Sequence, residues 1–143
     1  MRFPAAVAWV ALGGAIGTSA RVAVTEAFAP ALAATLVVNV LGAFLLGALL
    51  TALEGGGGGA GGDGSGARGR RRRQRARLLL GTGFCGGFTT YSLIALQAAT
   101  LARSGDGSAA LVYCVATLVL GAVGTALGVV LVGRARDRVR GTA

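Results

Sequence analysis

Four long apolar runs dominate this sequence and limit what it can fold into. They cover about residues 3–24, 31–53, 78–101 and 109–132. Each run is long enough to cross a bilayer as a helix, because a span needs about 20 apolar residues. Charged residues make up only 13% of the chain and the mean hydropathy is +0.71, which argues against an ordinary soluble globule. The sequence therefore predicts one all-α integral membrane domain, residues 1–143, with four transmembrane helices.

The connection between the second and third runs is long and unusual in composition. Residues 54–77 begin with a glycine-rich stretch and continue with ten residues that include seven Arg. Such a composition predicts a flexible segment. A basic run of this kind suits anionic lipid headgroups or nucleic acid. A solvated flank that fixes the orientation of the chain is the simpler interpretation, and no nucleic-acid partner is predicted. Residues 133–143 form a basic tail.

The basic residues are all Arg, and they divide unequally between the two sides of the predicted membrane domain. Four spans place both termini on one side, which holds twelve of the 14 Arg residues. The other side holds only Arg21 and Arg103. The positive-inside rule therefore predicts that both termini are cytoplasmic. Thr18-Ser19-Ala20 resembles a signal-peptidase site, but the glycine pair before it and the three later spans favour a retained helix.

Several residue types are missing, and their absence excludes classes of function. The sequence has no His, and its two Cys residues lack metal-site spacing, so a histidine-based triad or zinc site is not predicted. The five acidic residues lie at run ends or in connections. A cation-coupled transporter would need a carboxylate inside a span. Neither an enzyme nor such a transporter is predicted.

Polar residues in the first two runs suggest either packing or a binding site. Gly13, Gly17 and Arg21 are spaced four apart and share one helix face, where the glycines permit close helix packing. Arg21 is suited to an interface anchor or to a site residue. Asn39 is the only strongly polar side chain of the second run. Its amide suits either interhelical hydrogen bonding or donation to an anion.

The third run is a poor continuous helix. Four glycines fall within residues 81–87, and Thr89, Thr90, Tyr91 and Ser92 follow them. A Gly-Gly break inside a span would expose carbonyls that suit Na⁺, and the hydroxyl groups beyond it can donate to an anion. The alternative is a glycine-rich packing helix with back-bonded hydroxyls. In the fourth run, Tyr113 and Thr117 share a face, which fits a polar track or ordinary interhelical hydrogen bonds.

Three motifs together resemble the fluoride channel family (Fluc, also called CrcB). They are GGAIGTSAR at residues 13–21, TLVVNVLGAFLLG at 35–47 and GFCGGFTTYS at 83–92. Their order and spacing agree over nearly the whole chain, apart from the middle connection and the tail. The resemblance implies a passive fluoride-specific channel in a bacterial plasma membrane that lowers cytoplasmic fluoride. It also implies an antiparallel dimer of four-helix subunits with a broken third helix and two pores.

The resemblance also implies the site residues. Gly86 and Thr89 match positions whose backbone carbonyls hold a structural Na⁺ at the dimer interface, and Arg21 matches the first-helix Arg. Tyr91 and Ile94 stand where the family has two phenylalanines, and Leu93 stands where it usually has Thr. The implied fluoride pathway comprises Asn39, Tyr91, Ser92, Ile94, Tyr113 and Thr117.

The strong Arg asymmetry conflicts with an antiparallel homodimer, because such a dimer needs the same chain inserted both ways. We therefore expect a partner that is a second, oppositely oriented homologue. Two other functions stay open. One is an accessory subunit of a heterodimeric fluoride channel. The other is a small four-helix multidrug exporter, which would need an intramembrane carboxylate that the first run lacks.

Overall fold

A computed structural model describes residues 3–54 and 65–141, and this part of the chain is helical apart from short connections. In chain order the elements are α1 (Phe3–Ala27), α2 (Ala31–Glu54), α3 (Ser65–Ala76), a π-helical segment (Arg77–Cys85), α4 (Gly86–Phe88), α5 (Ser92–Arg103) and α6 (Gly107–Gly141). Four helical stretches are long and apolar enough to cross a membrane: Phe3–Ala27, Ala31–Glu54, Gly66–Arg103 and Gly107–Val139. The predicted all-α architecture with four spans is confirmed.

The third span is a composite element, and the other helices pack around it. It runs from the end of α3 through the π-helical segment and α4, and it resumes as α5 after residues 89–91. α1 packs mainly along the π-helical segment and α4, whereas α2 packs mainly against α6. α5 lies against α6 and also contacts α2. The break therefore lies between α1 and α2, which carry the polar residues nearest to it.

Glycines allow these helices to approach until their backbones touch. A Cβ atom on Gly13 would overlap the carbonyl oxygen of Leu79 in the π-helical segment. At the other main interface, a Cβ on Gly47 would lie 2.5 Å from the carbonyl oxygen of Thr125. Small residues at this spacing are what close packing of membrane helices requires. The prediction that the α1 glycines serve packing agrees with these contacts.

The third helix is broken, as predicted, but the break lies one turn later than the glycine pair. Gly86 keeps helical dihedral angles (φ −65°, ψ −34°), whereas Thr89 is extended (φ −78°, ψ 159°). A Cβ on Gly87 would overlap the carbonyl oxygen of Gly14, so this glycine is required for contact with α1. The expected Gly-Gly break is corrected to a break at residues 89–91.

Both basic segments contain more helix than their composition predicted. α3 begins at Ser65, inside the connection that was expected to be flexible, while the glycine-rich residues 55–64 lie outside the described residues. α6 continues to Gly141, well past the predicted end of its span. Arg has a high intrinsic helix propensity, which allows both helices to continue beyond the apolar residues.

Candidate functional site

The Asn39 side chain holds the break in the third helix from the α2 side. Its Nδ2 donates to the Thr90 carbonyl oxygen over 3.0 Å. The Thr90 backbone N–H donates to Asn39 Oδ1 over 2.8 Å. One amide therefore supplies both a donor and an acceptor to the same residue of the break. This pairing replaces helix hydrogen bonds in a part of a span where water is scarce.

The break changes the hydrogen bonding of two backbone carbonyls. In a continuous α-helix the N–H groups of Thr90 and Leu93 would donate to the carbonyls of Gly86 and Thr89. Here the Thr90 N–H donates to Asn39 instead. The Leu93 N–H donates to Thr90 Oγ1 over 3.3 Å. Both carbonyls are thereby released from the helix pattern, and a Cβ on Gly86 would meet no atom within 4 Å.

Carbonyl oxygens that are released from helix hydrogen bonding suit a hard cation such as Na⁺, so the residues present fit the ion that the motifs imply. Side-chain metal ligands offer no alternative in the described part of the chain, where no three His, Cys, Asp or Glu residues cluster.

Arg21 contacts the same region from α1. Its Nε donates to the Gly87 carbonyl oxygen over 3.2 Å. Thr18 Oγ1 donates to the same oxygen over 3.4 Å. The last turn of α4 is thus held by two α1 side chains, just before the chain leaves the helix. Of the two roles that the sequence left open for Arg21, this contact favours a role at the break over simple anchoring at the membrane interface.

Gln97 connects three helices, although the sequence pattern did not indicate a site there. Its Nε2 donates to the Ala31 carbonyl over 3.1 Å and to Thr35 Oγ1 over 2.9 Å. Its Oε1 accepts a hydrogen bond from the Tyr113 hydroxyl over 2.5 Å. The amide of α5 therefore connects the start of α2 to α6. The available signal was an amide in an apolar run, weaker than that of Asn39 because Gln97 lies near the end of its run.

The remaining implied pathway residues differ in their environment. Tyr91 is 82% exposed, so its ring projects out of the single chain. Ser92 is exposed and its Oγ lies 3.2 Å from Thr90 Oγ1, while Ile94 is half-buried. Thr117 is buried, and its hydroxyl donates to the carbonyl of Tyr113, one turn earlier, over 2.8 Å. This hydrogen bond lies within α6 and is not one of the interhelical bonds that the sequence left open for Thr117.

Comparison with known protein families gives a match over most of the chain. Residues 8–129 match the family described as CrcB-like protein, Camphor Resistance (CrcB). The chain belongs to the CrcB family. The matched range includes all the polar residues of the break and of the Gln97 cluster. It ends inside α6, so the basic end of that helix lies outside the match.

Several relatives resemble this CrcB chain over most of its length. A protein of Leifsonia xyli subsp. xyli, called fluoride-specific ion channel FluC 2, is 40% identical over 85% of this chain and 79% of its own. The fluoride-specific ion channel FluC of Chlorobium luteolum is 36% identical over 89% of this chain and 92% of its own. The protein of the same name from Deinococcus radiodurans is 36% identical, with 88% and 94% covered.

The structure thus brings the implied CrcB site residues into two groups. The first lies at the break, where hydrogen bonds join Asn39 and Ser92 to Thr90, next to Gly86 and Thr89 in the chain. The second joins Tyr113 and Thr117 to Gln97 and the start of α2. Tyr91 stands apart from both, exposed at the start of α5.

Proposed function

We propose that this chain is a subunit of a fluoride-specific channel that conducts fluoride passively and lowers its cytoplasmic concentration. The observation that carries this proposal is its similarity to proteins called fluoride-specific ion channels, at 36–40% identity over most of the chain. They are called ion channels rather than enzymes, and this chain is proposed to have no enzymatic activity. The fluoride ion is strongly hydrated, so a pore must replace the lost water molecules with hydrogen-bond donors of its own.

The residues that we assign to the fluoride pathway belong to the two groups of site residues described above, one at the break and one around Gln97. Asn39 Nδ2 carries two N–H bonds and uses one for Thr90, which leaves a second for an anion. The Ser92 hydroxyl and the positive edge of the Tyr91 ring lie just beyond the break. Ile94 contributes an apolar wall rather than a donor.

Farther along the pathway, Tyr113 and Thr117 form the α6 side. Gln97 belongs with them, because its amide is bonded to the Tyr113 hydroxyl. The Gln97 amide and the Thr35 hydroxyl, which are bonded to each other, continue the polar line toward α2. The hydrogens of the Gln97 amide and the Thr35 hydroxyl already donate within this cluster, so we propose that these two residues position the Tyr113 hydroxyl beside the pathway rather than donate to fluoride.

We further propose a structural Na⁺ bound by the carbonyls of Gly86 and Thr89. The release of these carbonyls from helix hydrogen bonding supports the assignment, because an unpaired carbonyl inside a membrane needs a partner. When bound, the ion would be coordinated by the lone pairs of these carbonyls and would fix the conformation of the break. Asn39 and Arg21 hold the adjoining backbone on either side, so the carbonyls are positioned by protein contacts.

We propose that the working unit is an antiparallel dimer. The 82% exposure of Tyr91 in the single chain supports a partner that covers this ring. Most of the Arg residues lie on one side of the predicted membrane domain. This asymmetry supports a single orientation in a bacterial plasma membrane, with both termini on the cytoplasmic side. The partner would then be an oppositely oriented homologue rather than a second copy.

Fluoride efflux from liposomes tests the proposal directly. The purified chain is reconstituted alone and with a companion homologue from the same cell, and a fluoride electrode measures release, with chloride as the control ion. Fluoride-selective efflux in either case supports the channel. Efflux only with the companion supports an obligate heterodimer. An absence of selective efflux in both preparations would contradict the proposal.

An accessory subunit is the second candidate, and the residues Tyr91 and Ile94 favour it, since they depart from the aromatic pair of the family. Such a chain would pack against a conducting partner without lining the pore. In the companion preparation, an accessory subunit should tolerate Asn39→Leu and Tyr91→Leu, whereas a conducting subunit should not. A multidrug exporter is the weakest candidate, because the carboxylates of the spans, Glu26, Glu54 and Asp137, lie only at span ends. It predicts drug transport without fluoride selectivity.

A further inference from the structure

α3 concentrates positive charge in a way that calls for an anionic partner. It has six Arg in twelve residues and no acidic residue. Arg68 and Arg72 are four residues apart, as are Arg71 and Arg75, so like charges face each other on successive turns. Pairs of this kind destabilise an isolated helix. A polyanion bound along α3 would remove this repulsion.

The contact between α1 and α3 shows where these arginines lie along the axis of the first span. The Arg75 guanidinium lies over the Trp9 ring, 5.8 Å from its centroid. Farther along, Gly13 meets the carbonyl of Leu79 and Gly17 meets the carbonyl of Phe84. The π-helical segment therefore runs parallel to α1. α3, which precedes this segment, makes few other close contacts with α1, so the contact between Arg75 and Trp9 marks the height at which α3 leaves α1.

The first two turns of α1 are apolar and exposed, which distinguishes between possible partners. Phe3 is 82% exposed and Val7 is 50% exposed, and the Trp9 ring belongs to a residue type enriched at membrane interfaces. Exposed apolar side chains suit acyl chains, while the neighbouring guanidinium groups suit phosphates. A soluble nucleic acid would match the charges but leave the apolar side chains in water. The combination fits the headgroup region of a bilayer.

We propose that α3 and the first two turns of α1 form a binding site for anionic phospholipid headgroups. The exposed arginines of α3 bind the phosphates and Arg75 is held by Trp9, while Phe3 and Val7, which lie farther than Trp9 from the middle of the span, contact the lipids at the height of the headgroups. This site is separate from the fluoride pathway and does not depend on the proposed channel function. The proposal gives the basic segment a binding partner. If the segment were only a solvated flank, it would have none.

Trp9 is the only tryptophan of the chain, so its fluorescence reports on this site. The full chain is reconstituted in phosphatidylcholine vesicles with increasing shares of either brominated phosphatidylglycerol or brominated phosphatidylcholine. Bromine quenches the indole only at contact range. One arginine near an anionic surface is worth about fivefold in binding. We therefore expect the relative affinity for phosphatidylglycerol at Trp9 to exceed that for phosphatidylcholine by at least about fivefold.

Two matched variants separate charge from helix structure, and both leave Arg75 and its contact with Trp9 in place. Changing Arg70, Arg71, Arg72 and Arg73 to Gln should bring the ratio of the two affinities close to one. Changing the same four residues to Lys should preserve most of the preference, because Lys also binds phosphate. If the fourfold Gln variant does not fold, Arg71→Gln with Arg72→Gln should show a smaller loss in the same direction.

Equal quenching by the two brominated lipids in the unchanged chain would overturn the proposal. An undiminished preference in the Gln variant would overturn the role of α3. A labelled RNA oligonucleotide provides the third arm, added to phosphatidylcholine vesicles at physiological salt. If the chain bound this RNA through the same arginines and showed no preference for phosphatidylglycerol, the basic segment would be a nucleic-acid site. Because fluoride is absent from these measurements, their outcome is independent of the efflux experiment.

Discussion

Asn39 supplies both hydrogen bonds that Thr90 makes across the gap between α2 and the broken helix. We expect Asn39→Leu to lower the free energy of unfolding by roughly 1–3 kcal/mol, because it leaves the Thr90 N–H and carbonyl without partners in a part-buried position. Fluoride efflux should fall with it, since the variant also removes the spare N–H bond. Thermal unfolding in detergent and liposome efflux measure the two effects.

The control for this change is Thr100→Val on α5. Thr100 is exposed, and its hydroxyl donates only to the Leu96 carbonyl one turn earlier. This variant should change the free energy of unfolding by about 0.5 kcal/mol at most. An Asn39→Leu chain that melts and conducts like the unchanged chain would show that the break is held by other contacts.

The hydrogen bond between Gln97 and Tyr113 can be tested with a double-mutant cycle. Gln97→Leu and Tyr113→Phe should each lower the free energy of unfolding by about 0.5–1.5 kcal/mol. The double variant should lose less than the sum, because both changes remove the same hydrogen bond. Chemical denaturation in detergent micelles measures all four chains. Additivity within about 0.3–0.5 kcal/mol would mean that the two side chains do not interact.

The difference between Asn39 and Gln97 shows what the sequence could predict about single residues. Asn39 stood out because it lies in the middle of an apolar run. Gln97 lies near the end of one, where an amide at the membrane boundary needs no special explanation. Its partners Thr35 and Tyr113 lie 62 and 16 residues away in the chain. Only the packing of α5 between α2 and α6 brings these groups together.

At the scale of elements, the contact between α1 and the π-helical segment depends on residues with no side chain. A Cβ on Gly17 would overlap the carbonyl oxygen of Phe84 and lie 2.9 Å from the Phe88 nitrogen. We expect Gly17→Ala to lower the free energy of unfolding by about 1–3 kcal/mol, because backbone atoms cannot move aside as a flexible side chain would. Thermal unfolding in detergent measures the loss.

Gly133→Ala provides the matched control on α6, since a Cβ there meets no atom within 4 Å. Alanine is the better helix former, so this variant should be neutral or more stable by up to about 1 kcal/mol. Equal melting temperatures for the two variants would contradict the close backbone contact at Gly17.

Hydropathy predicted the four spans because apolar length alone determines whether a helix crosses a bilayer. It did not predict where the third helix breaks. The glycine pair was the more obvious position, but Gly87 is needed for contact with Gly14. The actual break depends on Asn39, which lies 51 residues away from Thr90. Local composition does not contain this information. The helical state of α3 was also not predicted, because the glycine-rich stretch before it indicated a flexible connection.

At the scale of the whole molecule, the Arg asymmetry predicts a single orientation in the membrane. We expect epitope tags at both termini to be inaccessible to protease in intact spheroplasts and to become accessible after the membrane is opened. As a control, a tag inserted in the turn after Arg103 should be cleaved before the membrane is opened. Equal cleavage of the terminal tags in both conditions would mean that the chain inserts both ways, and an antiparallel homodimer would then replace the proposed heterodimer.

The length of α6 has a practical consequence for imaging. Its 35 residues correspond to roughly 52 Å at 1.5 Å per residue, while the hydrocarbon layer is only about 30 Å thick. The helix therefore continues outside the membrane as a rigid post, and the Arg136 guanidinium attaches it to the Thr51 carbonyl at the end of α2. A protein of 14.0 kDa is too small to align by itself in electron micrographs. A soluble helical domain fused in register to this post would move with it as one body and provide the alignment marker.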